Sequence, residues 1–351
     1  MKLYRLGHVP WLQSQLLYHA LPRQGMEGMI LLSPASPYVC IGYHQDVTQE
    51  VDLEYCRQHD IPVFRREVGG GAVYLDGRQL FYQIVLNDQH PLAAGDKATV
   101  YARLLAPVVE TYSDLGIPAR YKPINDIVTE AGRKISGNGA AHIENSLVLV
   151  GNLIFDFDYE RMARVLRVPD EKYRDKVHKS LYENLTTIRR ELGSVPPEEE
   201  VISLLVKHFE KVLGPLEPAT LPREVLDKAA ELEPQFTSDA WLHARARQAA
   251  HGREVKIAAG VHVVQRMRKV QGGLVRAILE IKDNAITSLS ITGDFFFYPE
   301  HKLAELEKRL EGAQLDDVGT YIEAFYRQEG IESPGLTPAE LAAILQGAQP
   351  S

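Results

Sequence analysis

The residues with the most chemical content fall in two short stretches. The first is Phe64-Arg65-Arg66-Glu67-Val68-Gly69-Gly70-Gly71-Ala72-Val73-Tyr74-Leu75-Asp76. Three consecutive glycines let the backbone approach a ligand closely, and their N–H groups can turn inward as an anion-binding nest. Arg65 or Arg66 could supply a guanidinium fork for phosphate or carboxylate. A flexible turn between strands has the same composition. A P-loop is excluded because GxxxxGK[ST] is absent, and a dinucleotide fingerprint because the spacing is not GxGxxG. The second stretch is Lys122-Pro123-Ile124-Asn125-Asp126-Ile127, followed by Gly132-Arg133-Lys134-Ile135-Ser136-Gly137-Asn138-Gly139-Ala140. A lysine at the head of a strand can hold its ammonium over a phosphate as a compact charge. Asp126 could hold Mg²⁺ through one carboxylate. The alternative is a solvated hairpin tip, where Arg-Lys is commonplace.

In this order and at this separation, the two stretches resemble the lipoate–protein ligase family, whose pattern is RR-x-x-GGGAV-aromatic-HD, then ND…G-R-K-[IV]-SG-x-A. The segment PYVCIGYHQDVTQEVDLEYCRQHDIPVFRR is similar to the family's stretch before the glycines. Val150–Asp158 resembles its HGTLLxNxD, and ITSLSITGDFFF with PEHKLAELEKRLEG resembles its small accessory domain. The resemblance covers most of the chain and implies an α+β fold with a mixed or antiparallel sheet of the biotin/lipoate ligase type. It implies an ATP-dependent, two-step acyl transfer. Lipoate and ATP give lipoyl-AMP and pyrophosphate, and a lysine of an apo lipoyl domain then takes the acyl group. Carried over by matching positions, Lys134 would bridge carboxylate and α-phosphate. Arg66 with Gly71, Ala72, Val73 and Tyr74 would hold nucleotide. Asn125 and Asp126 would flank phosphates and Mg²⁺. Arg65, Gly69, Gly70, Leu75, Gly137 and Ala140 would border the lipoyl pocket. The acceptors implied are dehydrogenase E2 subunits, the glycine-cleavage H protein or other lipoate-carrying proteins.

The chain departs from the pattern at Leu75 (the family's His), at Arg78-Gln79-Leu80-Phe81 (its G-N-L-N) and at Val150 (its His). These changes leave the adenylate part intact and bear on the choice of acyl chain and acceptor. Two rivals follow. An octanoyl or lipoyl transferase of the same fold carries its acyl group on a cysteine beyond the lysine motif, whereas the cysteines here are Cys40 and Cys56, both upstream. A non-catalytic protein binding lipoate or an acyl-nucleotide would tolerate the lost histidines. A biotin ligase is disfavoured because its GRGRxG loop is missing.

These residues need elements to hold them. Pro10–Ala20 reads as a helix with proline in its first turn. Gly28–Leu32, Tyr38–Gly42 and Ile61–Phe64 read as strands, and Ala72–Leu75 with Leu80–Leu86 as a strand pair about Asp76-Gly77. Val100, Leu104, Leu105, Val108, Val109 and Tyr112 recur at helical spacing. Further strands are expected at 124–129, 147–149 and 152–157, and a helix from about Glu200 to Leu213. A polar helix is expected over Trp241–Ala250. Beyond it come strands at 255–264, 274–281 and 286–291, helices at 300–311 and 316–329, and a loose tail from Gly347. The expected domains are 1–245, catalytic, and 246–351, accessory.

Length and composition set the outer bounds. The 351 residues are 45% hydrophobic and 25% charged, with a formal net charge of −8. Such a chain buries a core without staples, and two cysteines cannot make a disulfide scaffold. The negative charge argues against nucleic acid as partner, and no apolar run approaches the roughly 20 residues of a membrane helix. The expected location is the cytoplasm.

Overall fold

The strands gather into three sheets in the computed structural model, which describes residues 1–168, 170–246, 255–258 and 261–348. In chain order they are β1 (Lys2–Val9), β2 (Gly28–Pro34), β3 (Tyr38–Ile41), β4 (Val63–Arg65), β5 (Val73–Leu75), β6 (Gln79–Asn87), β7 (Ala119–Lys122), β8 (Asp126–Thr129), β9 (Lys134–Ile143), β10 (Ser146–Ile154), β11 (Glu217–Pro218), β12 (Val255–Ala258), β13 (Val261–Val270), β14 (Gly273–Lys282) and β15 (Ala285–Gly293). The largest sheet has the order β11-β1-β2-β6-β10-β9-β8-β7. It is mixed, with β11, β1 and β2 parallel and the rest antiparallel. A three-stranded sheet has the order β4-β3-β5, and a four-stranded one runs β12 to β15 in sequence.

Alternation divides the large sheet into two faces. On one, Leu80, Tyr82, Ile84 and Leu86 of β6 join Met29, Leu31, Ala140, Leu149 and Leu153 in the main core. The amphipathic helices Lys97–Asp114 and Glu198–Leu213 cover that face with Val100, Leu104, Leu105, Val108, Val201, Leu205 and Phe209. Asp96 caps the first of these by accepting from the Thr99 N–H at 2.7 Å. The other face carries Gln79, Phe81, Gln83, Val150, Asn152, Gly137 and Gly139, as the register requires. The helix Trp11–Arg23 and the three-stranded sheet lie on this side. Gln83 Nε2 donates to the Ser14 carbonyl at 2.6 Å, and Gln79 Nε2 to the Tyr74 carbonyl at 3.3 Å.

The described chain divides into two compact units. The first is Met1–Cys40, Val51–Arg66 and Val73–Leu242; the second is Ile41–Glu50, Glu67–Ala72 and His243–Ser351. The second unit thus joins two short stretches of the N-terminal half, including the glycine triplet, to the C-terminal region. In β14, Val275, Ala277, Leu279 and Ile281 alternate into a separate core. The helices Lys302–Leu310, Val318–Glu329 and Pro338–Gln346 complete it with Leu303, Leu306, Ile322, Leu341 and Leu345. A reciprocal capping box between Thr337 and Glu340 starts the last helix.

Several elements differ from expectation. Asp76-Gly77 makes no hairpin, because β5 pairs with β3 in one sheet while β6 pairs with β2 and β10 in another. Asp76 instead folds back on its neighbours, accepting from Arg78 N at 3.0 Å and pairing with Arg78 Nη2 at 2.6 Å. The expected polar helix over 241–250 is present as Asp239–Leu242, and residues 247–250 lie outside the described ones. The strand expected over 255–264 divides into β12 and β13, with 259–260 also outside. Gly347, placed in a loose tail, ends the helix Pro338–Gln346 in the left-handed conformation at φ 71°. Unforeseen elements include β1, the helix Arg223–Phe236 and the helix Pro338–Gln346.

Candidate active site

Lys134 opens β9, and its orientation follows from a bulge. Ile127 pairs with Ser136 but Val128 pairs with Lys134, so β9 carries one extra residue. Ile135 and Ala140 stay in the main core. Strict alternation would send Lys134 to that same side as Ser136 and Asn138; the extra residue turns it to the face of Gly137 instead. There Lys134 Nζ lies 2.6 Å from Asp126 Oδ1, with both side chains about one-third exposed. Asp126 is the register partner of Gly137. A Cβ on Gly137 would meet Lys134 Cε at 3.2 Å and Nζ at 3.4 Å, so the lysine lies along a strand cleared for it. Behind it, the Thr186 N–H donates to the Lys134 carbonyl at 2.8 Å, and Arg133 pairs with Glu191 at 2.7 Å.

A chain of amides fixes the strands around this pair. Asn125 and Asn138 exchange hydrogen bonds, each side-chain amide donating to the other's carbonyl, the second at 2.9 Å. Asn138 Oδ1 accepts from the Tyr82 hydroxyl. Gly137 N–H donates to Asn152 Oδ1 at 3.0 Å, Asn152 Nδ2 donates to Gln79 Oε1 at 2.8 Å, and Gln79 reaches the carbonyl of Tyr74. The network therefore links Asn125, the Lys134 strand and β5. Gly151 makes it possible, since a Cβ there would collide with Asn138 Oδ1 and the Tyr82 hydroxyl.

On the three-stranded sheet, Val73 pairs with Cys40, Tyr74 with Val39 and Leu75 with Tyr38. Burial, with Asp76 adding to it, pushes the Tyr74 phenol up to about 12. Arg66 Nη1 donates to the Cys40 carbonyl at 3.3 Å and reaches its Sγ at 3.6 Å. The Cys40 thiol is raised by burial against the pull of Arg66, and burial pushes the Cys56 thiol up to about 12. Both cysteines are buried.

Two residues expected at a lipoyl pocket have other surroundings. Arg65 is 1% exposed, and its guanidinium donates to the carbonyls of Trp241 and Leu242 at 2.8–3.1 Å; the Trp241 indole donates back to the Arg65 carbonyl at 2.9 Å. Ala140 packs in the main core, on the opposite face of β9 from Gly137 and Gly139.

The glycine turn belongs to the second unit. Gly70 takes φ 88°, which favours glycine, and its N–H donates to the Phe295 carbonyl at 3.4 Å. A Cβ on Gly69 would meet the Phe296 ring at 2.9 Å, and one on Gly71 would touch Asp294 at 3.6 Å. The Phe295 ring stacks on His44 at 5.2 Å and 4°. The His44 carbonyl accepts from Gly293 N–H at 3.1 Å. A half-buried Arg276–Glu50 ion pair ties β14 to the segment before Val51. Burial holds the Glu50 carboxyl above its usual range despite that arginine.

Sequence reasoning did not single out Tyr82, Asn138, Asn152 or Gly151 as parts of one network. Their signal is polar residues and glycine in otherwise apolar strands.

A family model for the Lipoyl protein ligase A/B catalytic domain matches residues 8–210. The chain belongs to this family. A second model, Bacterial lipoate protein ligase C-terminus, matches residues 262–345. The chain is 27% identical over 281 residues to lipoate-protein ligase LplJ of Bacillus subtilis, covering 80% of this chain and 79% of that one. It is 30% identical over 290 residues to a lipoate–protein ligase of Streptococcus pyogenes, covering 80% of each. Octanoyltransferase LipM of Oceanobacillus iheyensis also matches, at 28% over 204 residues, 54% of this chain and 74% of that one. Among solved structures, the bi-partite lipoate protein ligase of Thermoplasma acidophilum, described with its E2 lipoyl domain, superposes with TM-score 0.63 at 25% identity, over 71% of this chain and 98% of that one. LipL1 of P. falciparum in complex with lipoate shares the fold with TM-score 0.70 at 14% identity, over 98% and 99% of the two chains. Among the described residues no helix is long and apolar enough to cross a membrane.

Proposed function

We propose that this chain is an ATP-dependent lipoate–protein ligase. It would activate lipoate as lipoyl-AMP, release pyrophosphate, and pass the lipoyl group to a lysine of an apo lipoyl domain. The observation that carries this reading is Lys134, held 2.6 Å from Asp126 over the glycine floor of β9. A carboxylate and a triphosphate repel each other, and a preorganised ammonium at the point of attack offsets that repulsion. With ATP present, Lys134 would exchange Asp126 for carboxylate and α-phosphate oxygens. Asp126, released, suits Mg²⁺, which keeps its waters and phosphate oxygens and needs one or two carboxylates. Asn125 positions the phosphate side through Asn138. Arg66, tied to the Cys40 carbonyl, and the 71–74 backbone would receive the nucleotide. Chemistry of this kind rests on positioning and charge.

The cysteines favour the ligase over the transferase. A thioester needs a thiolate within reach of the acyl donor. Cys40 and Cys56 are buried, their thiols are raised, and both precede the glycine turn. Pyrophosphate release in the presence of lipoate, ATP and Mg²⁺ tests the proposal, and dependence on all three is expected. Transfer from an acyl-carrier thioester without pyrophosphate release would overturn it.

A further inference from the structure

Lys134 lies at the end of β9 where one of the two neighbouring ladders stops. The pairing with β10 runs from Ile143 back to Asn138, so at Lys134 the regular ladder is the one to β8. On the other side Leu185 makes an isolated parallel bridge with Lys134, and the Thr186 N–H donates to the Lys134 carbonyl at 2.8 Å. Two side chains close this contact into a ring. Arg133 Nη2 and the Thr186 hydroxyl both donate to Glu191 Oε1, at 2.7 and 2.5 Å. The ring runs from the Lys134 carbonyl through Thr186, Glu191 and Arg133 back to the Lys134 peptide nitrogen. Thr186 is fully buried, and the Glu191 side chain is 16% exposed. Glu191 is itself anchored elsewhere. It belongs to the short helix Ile188–Leu192, which Thr187 caps by accepting from the Arg190 N–H at 3.1 Å. Just beyond the end of β10, the Arg189 N–H donates to the Phe155 carbonyl and the Arg189 guanidinium pairs with Asp156, both at 3.0 Å. Ile188 packs in the main core.

We infer that Glu191 is a positioning residue for Lys134. The inference rests on the ligase reading, which makes the Lys134 ammonium the group that meets carboxylate and α-phosphate. To exchange Asp126 for those oxygens, the ammonium must swing while its backbone stays in place. Strand ends open more readily than strand interiors, and a misplacement of about 1 Å at the reacting group can cost about 10²-fold in rate. Glu191 Oε1 removes that freedom, because it ties the residue before Lys134 to the residue that holds the Lys134 carbonyl. An amide oxygen at the same place can accept from both donors, so the geometry predicts rescue by Glu191→Gln and none by Glu191→Ala.

The test reads pyrophosphate release with lipoate, ATP and Mg²⁺, together with amide hydrogen exchange of the peptides that contain Lys134 and Thr186. Glu191→Ala should lower kcat by about 10- to 100-fold at nearly unchanged KM, the pattern of a misplaced reacting group rather than of lost substrate binding. Glu191→Gln should keep most of the parent rate. Exchange should quicken at both peptides in Glu191→Ala and stay near the parent in Glu191→Gln. Thr186→Val removes the hydroxyl and keeps the N–H. It should lower kcat in the same sense, and it serves as an independent probe where Glu191→Ala melts early. An unchanged kcat in a folded Glu191→Ala or Thr186→Val, or equal losses in Glu191→Ala and Glu191→Gln, overturns the positioning role while leaving the ligase reading in place. No pyrophosphate release by the parent protein overturns the ligase reading instead, and the exchange measurement still reads the ring by itself.

Discussion

The Lys134 strand and the glycine turn are the two chemically loaded stretches, and they are held in different ways. Lys134 is positioned from within its own sheet. A β9 bulge aims it, Gly137 clears its path, and the Asn125–Asn138 and Asn152–Gln79 amides lock the strands beside it. The glycine turn has a conformation given by Gly70 at positive φ, and it is supported by the C-terminal region, through the Phe295 carbonyl and the Phe296 ring. One arm therefore stands on ladder hydrogen bonds and the other on a domain joined late in the chain. Damage to the first should strike chemistry or folding directly. Damage to the second should strike ligand capture.

The largest effect is expected at Lys134. Lys134→Ala should lower lipoate-dependent pyrophosphate release by about 10²–10³-fold, the usual loss for a preorganised charge. Lys134→Arg should not rescue it, because a planar fork cannot replace a point charge between two oxygens. The melting temperature should barely move, since the ammonium is part-exposed and its ion pair is of the kind that contributes little to stability. Near-normal release by Lys134→Ala would remove the basis for treating this arm as the chemical one.

Deleting residues 246–351 tests the other arm. It removes Phe295 and Phe296 and so leaves the glycine turn unsupported. Lipoyl-AMP synthesis should fall further than transfer from supplied lipoyl-AMP. Equal losses in a deletion that remains folded would show that the turn does not depend on the C-terminal region for the first half-reaction. Phe296→Ala is the milder form, with KM for lipoate or ATP expected to rise at similar kcat, the signature of lost ground-state binding.

Gly151 and Gly69 sharpen the contrast through stability. Gly151→Ala drives a methyl into Asn138 Oδ1 and the Tyr82 hydroxyl, deep in the locked network. Overpacking of this kind costs about 1–3 kcal/mol, to be read as a lowered denaturant midpoint. Gly69→Ala meets the edge of a ring at 2.9 Å, and a ring can shift. Its loss of stability should be the smaller of the two. The reverse ranking would mean that the turn, not the strand network, is the rigid arm.

Much of this was readable beforehand, for physical reasons. Apolar runs such as GMILL and LFYQIVL become β2 and β6 because strands covered on both sides tolerate apolar residues throughout. The helical spacing from Val100 to Tyr112 becomes the helix Lys97–Asp114. Other features depended on pairings that a single sequence does not display. The Asp76-Gly77 dipeptide has hairpin chemistry, yet its flanks join different sheets. The direction of Lys134 depends on which residue is bulged, and Ile135 looks no different from an ordinary strand residue. Arg65 and Arg66 are adjacent and alike in type, but Arg65 faces the Trp241 and Leu242 carbonyls while Arg66 faces Cys40. Polar residues in strands, such as Gln79 and Asn152, read as departures from a pattern until their amides are seen to meet.

The smallest expected effect carries the most direct test of the central claim, that the acyl group is activated by ATP and held without a thioester. The double variant Cys40→Ser, Cys56→Ser would be compared with the parent for the mass shift of an apo lipoyl domain, with and without ATP, on the folded fraction. A hydroxyl in place of buried Cys40 can cost about 1–3 kcal/mol of stability, but modification should stay largely intact and strictly ATP-dependent. A folded double variant that no longer modifies the domain, or a parent protein that modifies it from an acyl-carrier thioester without ATP, would contradict the account.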